Sequence, residues 1–173
     1  MGKRYMKCTF IDEDKHLYYF ELDHEGTVYR QITMINDDKT FASNRPFKDV
    51  HFCLSEKPID FIPEKEVSKE EFERNWLKEN EINIQEWYKT KNKFPIGTTV
   101  EGIIECIYPQ GIIINCQDNI YGVVDYDKCC ETSGSNKIYV RNRVRGNVKG
   151  FDEANLWVVI EDGEVILDVH SKK

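Results

Sequence analysis

Gly97-Thr-Thr-Val-Glu-Gly-Ile-Ile104 opens a series of three glycine-marked stretches, which continues with Gly111-Ile-Ile-Ile114 and Tyr121-Gly-Val-Val124. Each groups β-branched residues around a glycine, which is typical of strands that bend sharply. Working outward, we predict five strands, at residues 99–108, 111–116, 121–125, 138–149 and 156–161. Five strands within about 65 residues suit a small closed barrel. Residues 128–137, which hold Glu-Thr-Ser-Gly-Ser-Asn, are expected to form a loop between the third and fourth strands.

The first half of the chain alternates aromatic and polar residues over four segments, which predict an antiparallel meander at residues 5–11, 17–23, 28–35 and 39–42. Residues 45–63, with three prolines, are expected to be an irregular connection that covers one side of this sheet. Ser68 and Glu71 form a capping box, so one or two helices are expected over residues 69–91. The fold class is therefore mostly β, with an α+β domain at residues 1–92 and a barrel domain at residues 94–168.

The glycine-marked stretches resemble the S1 RNA-binding domain, a five-stranded module of the OB fold. Gly97-Thr-Thr-Val-Glu-Gly-Ile-Ile is similar to the family's opening G-x-x-V-x-G-x-V, Gly111-Ile-Ile-Ile to its second-strand G-x-F-V, and Tyr121-Gly-Val-Val to its third-strand x-G-L-V. The segments 144–152 and 156–160 are similar to the last two strands. The resemblance covers a little over a third of the chain and implies an OB barrel that binds RNA.

The chain departs from the S1 pattern where the family stacks aromatic rings on bases. Gln110, Ile113 and Asp125 occupy the positions that we align with those rings. Because each stacked base contributes about 1–3 kcal/mol, their loss predicts weak binding. The candidates that could replace them are Tyr108, Tyr121 and Tyr126.

A basic stripe is predicted on the fourth strand. Tyr139, Arg141, Arg143 and Arg145 recur with period two, so on a strand they project from one face, while Val140 and Val144 point inward. With Lys149 beyond them, they could clamp a phosphate backbone. The alternative is a solvated strand face, because residues 94–168 contain twelve carboxylates against six Lys and Arg.

The N-terminal half resembles a small bacterial domain of unknown function, on the residues Tyr18-Tyr-Phe-Glu-Leu-Asp23, Tyr29-Arg-Gln-Ile32 and the helix from Val67 to Trp76. Members of that family are often found among bacterial toxin and immunity systems, which implies an association but no activity. Glu21, Asp23, Arg30 and Gln31 are expected either to form a charged recognition surface or to be the solvated face of a hairpin.

No catalytic or metal-binding constellation is evident. His16, His24, His51 and His170 show no metal-ligand spacing, and Cys53 near His51 lacks an orienting third group. Asp118, Asp125 and Asp127 are read as turn residues rather than ion ligands. The six cysteines form no C-x-x-C pair and are expected to be free thiols, mostly buried. We therefore expect a protein that is not an enzyme and holds no cofactor or metal.

Charge and hydropathy limit the partners. A net charge of −7 disfavours broad affinity for nucleic acid, and no apolar run suggests a membrane anchor or signal peptide, so a cytoplasmic location is expected. The first hypothesis is weak binding of RNA or another single-stranded nucleic acid through the stripe. The alternative is a protein–protein module, immunity or antitoxin-like, that binds a basic protein partner.

Overall fold

The computed structural model describes residues 2–167, and the chain divides into two compact units, Met1–Asn83 and Ile84–Lys173. This division falls between residues 83 and 84, inside a helix, whereas the predicted domain limits were 1–92 and 94–168. Two residues considered above, Asp168 at the end of the predicted barrel and His170, lie outside the described residues. None of the helices between residues 2 and 167 has the length and hydropathy needed to cross a bilayer.

The first unit is built on a four-stranded antiparallel meander in the order β1-β2-β3-β4. The strands are β1 (Arg4–Ile11), β2 (Lys15–Leu22), β3 (Val28–Ile35) and β4 (Lys39–Ala42). The sequence-based prediction of this sheet is confirmed to within two residues at every strand end. Asp23 fixes the second turn, since its Oδ1 accepts hydrogen bonds from the backbone N–H groups of Glu25 and Thr27, each at 2.9 Å.

Successive strand residues point to opposite sides of this sheet. Both of these faces are covered by other parts of the unit. One face packs Tyr5, Tyr19 and Ile32 against Phe72 and Trp76. The other face is packed by the irregular connection predicted at residues 45–63, and the residues of that cluster are Met6, Cys8, Phe20, Leu22 and Val28 with Leu54, Ile59 and Phe61. A single 3-10 turn, Pro63–Lys65, ends the connection.

A single helix, α1 (Lys69–Lys93), follows where the sequence allowed one or two. Ser68 Oγ accepts a hydrogen bond from the Glu71 N–H at 3.0 Å, as the capping box predicts. Asn80, which weakened the sequence pattern, does not break the helix because it is buried and satisfied. Its Nδ2 donates to the Trp76 carbonyl at 3.0 Å, and its Oδ1 accepts from Asn44 Nδ2 at 2.7 Å.

Three of the four residues singled out on the charged hairpin of the first unit are buried, which corrects both roles predicted for them, and the fourth, Asp23, is half-buried in the turn. Glu21, Arg30 and Gln31 are each less than 10% exposed. Arg30 donates to both carboxylate oxygens of Glu21, at 3.1 and 2.6 Å, and also to Glu73 of α1. Burial alone would lower the pKa of Arg30, but the hydrogen bonds that it donates to the two carboxylates outweigh this effect and raise that pKa. The triad thus ties β2, β3 and α1 together.

The second unit is a closed five-stranded barrel in the order β5-β6-β7-β9-β8, with β8 pairing back to β5. The strands are β5 (Thr99–Tyr108), β6 (Gly111–Gln117), β7 (Ile120–Val124), β8 (Arg143–Asp152) and β9 (Trp157–Ile166). All neighbours are antiparallel except β7 and β9, which are parallel. The core holds mainly Ile and Val, including Ile104, Ile112, Ile114 and Val144.

Closure requires glycine where β8 approaches β9 and where β5 approaches β6. Val100 of β5 pairs with Gly146 of β8, and Gly102 pairs with Val144. A Cβ on Gly146 would lie 2.7 Å from the Glu161 carbonyl oxygen, and one on Gly102 would lie 2.9 Å from the Asn115 carbonyl oxygen. The backbones approach too closely at these points for any side chain.

The last turns of α1 belong to the barrel unit. Trp87 is buried in the barrel core cluster, and its ring meets Phe151 edge to face at 5.9 Å between centroids. Trp87 Nε1 donates to Glu153 at 2.7 Å, and Lys91 Nζ donates to the same carboxylate at 2.9 Å. Burial raises the pKa of Glu153, but these two hydrogen bonds reverse the effect and leave that pKa lowered.

Several barrel predictions were wrong. The loop predicted at residues 128–137 contains helix α2 (Tyr126–Ser133) and a 3-10 turn at Ser135–Lys137. Asp125, predicted as the end of the third strand, instead caps α2 by accepting from the Lys128 N–H at 2.9 Å. The fourth strand begins at Arg143 rather than at 138, because residues 140–141 form a turn with Arg141 at φ 77°. Val140, predicted inward, is 53% exposed.

We predict that Gly146→Ala destabilises the barrel by about 1–3 kcal/mol, because the added methyl group overpacks the crossing of β8 and β9. Gly150→Ala is the matched control on the same strand, since a Cβ there would have no atom within 4 Å. Urea unfolding followed by circular dichroism measures both variants. Equal midpoints for the two would contradict the crossing constraint.

We predict that Arg30→Met lowers the free energy of unfolding by about 3–5 kcal/mol at neutral pH, since it leaves two carboxylates without their cation. The loss should shrink when Glu21→Gln is added, because one of those carboxylates is then neutral. Arg74→Met, at an exposed position of α1, is the control and should change stability by less than about 0.5 kcal/mol. A small effect of Arg30→Met in thermal or urea unfolding would refute the role of the triad.

Candidate nucleic-acid interface

A row of side chains runs across the outer surface of the barrel. Cross-strand pairing joins Arg143 of β8 to Ile103 of β5, Ile103 to Asn115 of β6, and Asn115 to Tyr121 of β7. Ile104 and Ile114 point into the core, so their neighbours Ile103 and Asn115 face outward. The row therefore combines a cation, an apolar side chain, an amide and a phenol.

A groove of about 410 Å³ lies along this row. It is lined by Arg143, Ile103 and Asn115 of the row, and further by Glu101, Gly102, Cys116, Gln117 and Asp118. Asn115 Nδ2 donates to Glu105 at 3.4 Å, while its Oδ1 is buried and has no hydrogen-bond partner within residues 2–167. A buried acceptor without a partner is costly, so this amide is suited to accept from a ligand.

Glu101 controls the charge of this surface. Arg145 donates from Nε and Nη2 to Oε1 of Glu101, at 2.8 and 2.6 Å, and Arg143 Nη1 lies 3.8 Å from Oε2 of the same carboxylate. All three side chains are about 40–50% exposed. Exposed pairs of this kind contribute only about 0.2–1 kcal/mol each, so a phosphate can compete for these arginines.

The predicted stripe is divided by the structure. Arg143 and Arg145 share the outer face of β8, whereas Tyr139 and Arg141 lie in the preceding turn, both exposed. Lys149 lies further along β8 and lines a separate cavity of about 160 Å³ with Lys128. Only Arg143 among these five residues lines the groove.

Of the predicted tyrosines, Tyr121 ends the row described above, whereas Tyr108 and Tyr126 lie elsewhere on the barrel. Tyr121 is 5% exposed and pairs across strands with Asn115. Tyr108 ends β5, half-buried, with its ring 6.2 Å from that of Trp157. Tyr126, in the first turn of α2, is 36% exposed. Tyr108 and Tyr121 therefore present little open ring surface.

Sequence reasoning missed Glu101, Ile103 and Asn115. The only sequence signal for these residues was the alternation along β5 and β6, which marks them as facing outward. Outward residues of β5 must meet outward residues of its neighbours β6 and β8. The register that brings Ile103 opposite Asn115 depends on a bulge at 104–106, and the one that brings Asn115 opposite Tyr121 depends on a bulge at 115–117, neither of which any local pattern indicates.

No other chemistry gathers in the described part of the chain. No group of three or more His, Cys, Asp or Glu there could hold a metal ion. The six cysteines are free thiols, of which Cys8 and Cys129 are buried and the others half-buried. Burial raises the pKa of Cys53, which is the opposite of what a nucleophile paired with His51 needs.

Comparison of the chain with protein-family models, with curated proteins and with solved structures finds no match.

We predict that Cys106 and Cys116 react slowly with iodoacetamide at pH 8 in the folded protein, because burial raises the pKa of each thiol to about 12. A thiol whose pKa is raised by folding stabilises the folded state below the unfolded pKa, and this contribution is lost as pH rises toward 12. Mass mapping of labelled peptides, with a urea-unfolded sample as reference, measures the protection. Rapid labelling of Cys116 without unfolding would contradict it.

Proposed function

We propose that the barrel is an OB fold of the S1 kind and binds RNA or single-stranded DNA weakly, without catalytic activity. The order β5-β6-β7-β9-β8, with its parallel β7–β9 pair and a helix between β7 and β8, supports the OB assignment. The glycine-marked motifs support the S1 kind. The proposal includes a cytoplasmic location.

The observation that carries the proposal is the groove beside Arg143. A guanidinium at one end can bind phosphate, Ile103 offers an apolar seat for a base, and Asn115 Oδ1 can accept from a base amino group. Arg145 adds a second cation on the same face of β8. Tyr121, which pairs with Asn115, is proposed as a neighbour of the base site, and Tyr139, Arg141, Lys149 and Tyr108 are proposed as outlying contacts.

Fluorescence anisotropy with a labelled single-stranded RNA tests this. At about 50 mM salt we expect a dissociation constant of about 1–100 μM that rises steeply with salt. Arg143→Glu should weaken binding by at least about tenfold, since it places a carboxylate at the phosphate site. Glu101→Gln should strengthen binding by up to about fivefold, because it releases both arginines from their ion pairs.

Lys69→Glu is the matched control, since it makes the same charge change at the exposed first residue of α1, where an acidic residue suits the helix. The proposal fails if the wild-type protein shows no binding at low salt. It also fails if Arg143→Glu and Lys69→Glu weaken binding equally, because affinity would then follow net charge rather than the groove.

A second function, binding of a basic protein partner by an immunity or antitoxin-like module, is favoured by a different observation. Glu101 already engages both arginines, so the barrel presents less available positive charge than its sequence suggests. If the protein-binding function is the correct one, the wild-type protein does not bind RNA at low salt, and Glu101→Gln does not change that result.

A further inference from the structure

One end of the first sheet carries an exposed apolar row. Phe10 of β1 pairs with His16 of β2, and His16 pairs with Ile35 of β3. Phe10 is 57% exposed and its neighbour Ile11 is 79% exposed. We call Phe10, His16 and Ile35, which share one face of the sheet, the tip surface, whereas the side chain of Ile11 points to the other face. The tip surface lies beyond both clusters that cover the rest of the sheet.

The tip surface is ordered by ring contacts. The Phe10 ring meets Tyr18 edge to face at 5.8 Å, and His16 stacks on the same tyrosine at 6.0 Å with an interplanar angle of 7°. Tyr18 in turn stacks on the buried Phe20 at 5.5 Å. The exposed rings are thus continuous with the core, so little side-chain entropy is lost when a partner covers them.

An acidic rim surrounds this row. The two turns at this end of the sheet contribute five exposed carboxylates, Asp12, Glu13, Asp14, Asp37 and Asp38. Lys15 and Lys39 are the only cations on those turns, and Lys15 is already paired with Asp37 at 3.0 Å. The rim therefore repels phosphates and attracts Lys and Arg.

The two turns are fixed to each other by Asn36. Its Nδ2 donates to Asp14 Oδ1 at 2.7 Å, its Oδ1 accepts from the Lys15 N–H at 2.9 Å, and its own N–H donates to the Lys15 carbonyl at 2.8 Å. The acidic rim is therefore held in one arrangement around the apolar row before any partner arrives.

β1 is an edge strand of the sheet. The first part of its outer edge is occupied, because Met6 bridges to Glu66 and the Val67 N–H donates to the Tyr5 carbonyl at 3.0 Å. Thr9 and Ile11 share that edge by parity, and within residues 2–167 no further strand pairs with them there. This stretch can therefore accept an additional strand.

We propose that the tip surface binds an extended basic segment of a protein partner, in which apolar side chains cover Phe10 and its neighbours His16 and Ile35 while Lys or Arg side chains meet the acidic rim. Charge complementarity selects this occupant over nucleic acid, since the rim carries five carboxylates against two lysines. The inference rests on the protein-binding function proposed above and is independent of the arginine groove.

The test uses a synthetic peptide of about ten residues that alternates Lys with Leu and Phe, and a matched peptide with Glu in place of Lys. Amide shifts of the ¹⁵N-labelled full chain are followed by NMR. The basic peptide should shift amides of residues 9–16 and 35–38, and the acidic peptide should not. Phe10→Thr should weaken binding at least about fivefold, because it removes the largest exposed ring while keeping β propensity.

Two further variants sharpen the test. Asp12→Asn with Glu13→Gln should weaken binding and flatten its salt dependence. Leu77→Gln, which removes an exposed apolar residue of α1, is the control and should bind as wild type.

Binding of the basic peptide elsewhere, unaffected by Phe10→Thr, would overturn the tip site while leaving protein binding itself intact. Equal binding of both peptides, binding of neither, or shifts at the tip caused by single-stranded RNA would each overturn the proposal. Concentration-dependent dimerisation through the tip would also overturn it, because the occupant would then be a second copy of this chain.

Discussion

The close approach of β8 to β9 and of β5 to β6 is the constraint on which the barrel and its outer surface depend. Gly146 and Gly102 lie where a Cβ would come within 3 Å of a backbone oxygen on β9 and β6. Because these strand pairs can approach so closely only at a glycine, the registers of β8 against β9 and of β5 against β6 are fixed at these points. A slip of one residue would turn Glu101 and Ile103 into the core and Ile104 into solvent. The composition of the groove is therefore a consequence of closure.

Arginine–glutamate pairs serve opposite purposes in the two units. Arg30 is 4% exposed and is paired with the carboxylates of Glu21 and Glu73. Removing the arginine or its carboxylate partners therefore leaves a buried charge without its counter-charge. Arg145 is 52% exposed, and its pair with Glu101 competes with water. The buried pair cannot open without unfolding the sheet from its helix, whereas the exposed pair can exchange its carboxylate for another anion. Only the second kind is suited to reversible binding.

Much of this fold follows from local sequence signals. β3, β4 and β5 have the predicted limits, because strict alternation and flanking turn residues mark them. The start of β8 was missed because Tyr139 and Arg141 continue the alternation of Arg143 and Arg145, although Arg141 takes a left-handed conformation in a turn. Helix α2 was missed because a short helix held by the Asp125 cap has the composition of a loop. The burial of Arg30 could not be predicted from local sequence patterns either, because its second partner, Glu73, is 43 residues away.

Local fields decide what a chain of net charge −7 can bind. Charges beyond about 10 Å are largely screened at 0.1 M salt, so the nearest carboxylate matters more than the total. For Arg143 and Arg145 that carboxylate is Glu101, which any phosphate must displace. Breaking an exposed arginine–glutamate pair costs little free energy. The new arginine–phosphate contact gains little more than that cost, so most of its gain is cancelled. Because Glu101 competes for the arginines, nucleic-acid binding in such a groove is expected to be weak and salt-sensitive. Its strength then depends on the apolar and amide groups beside the arginines.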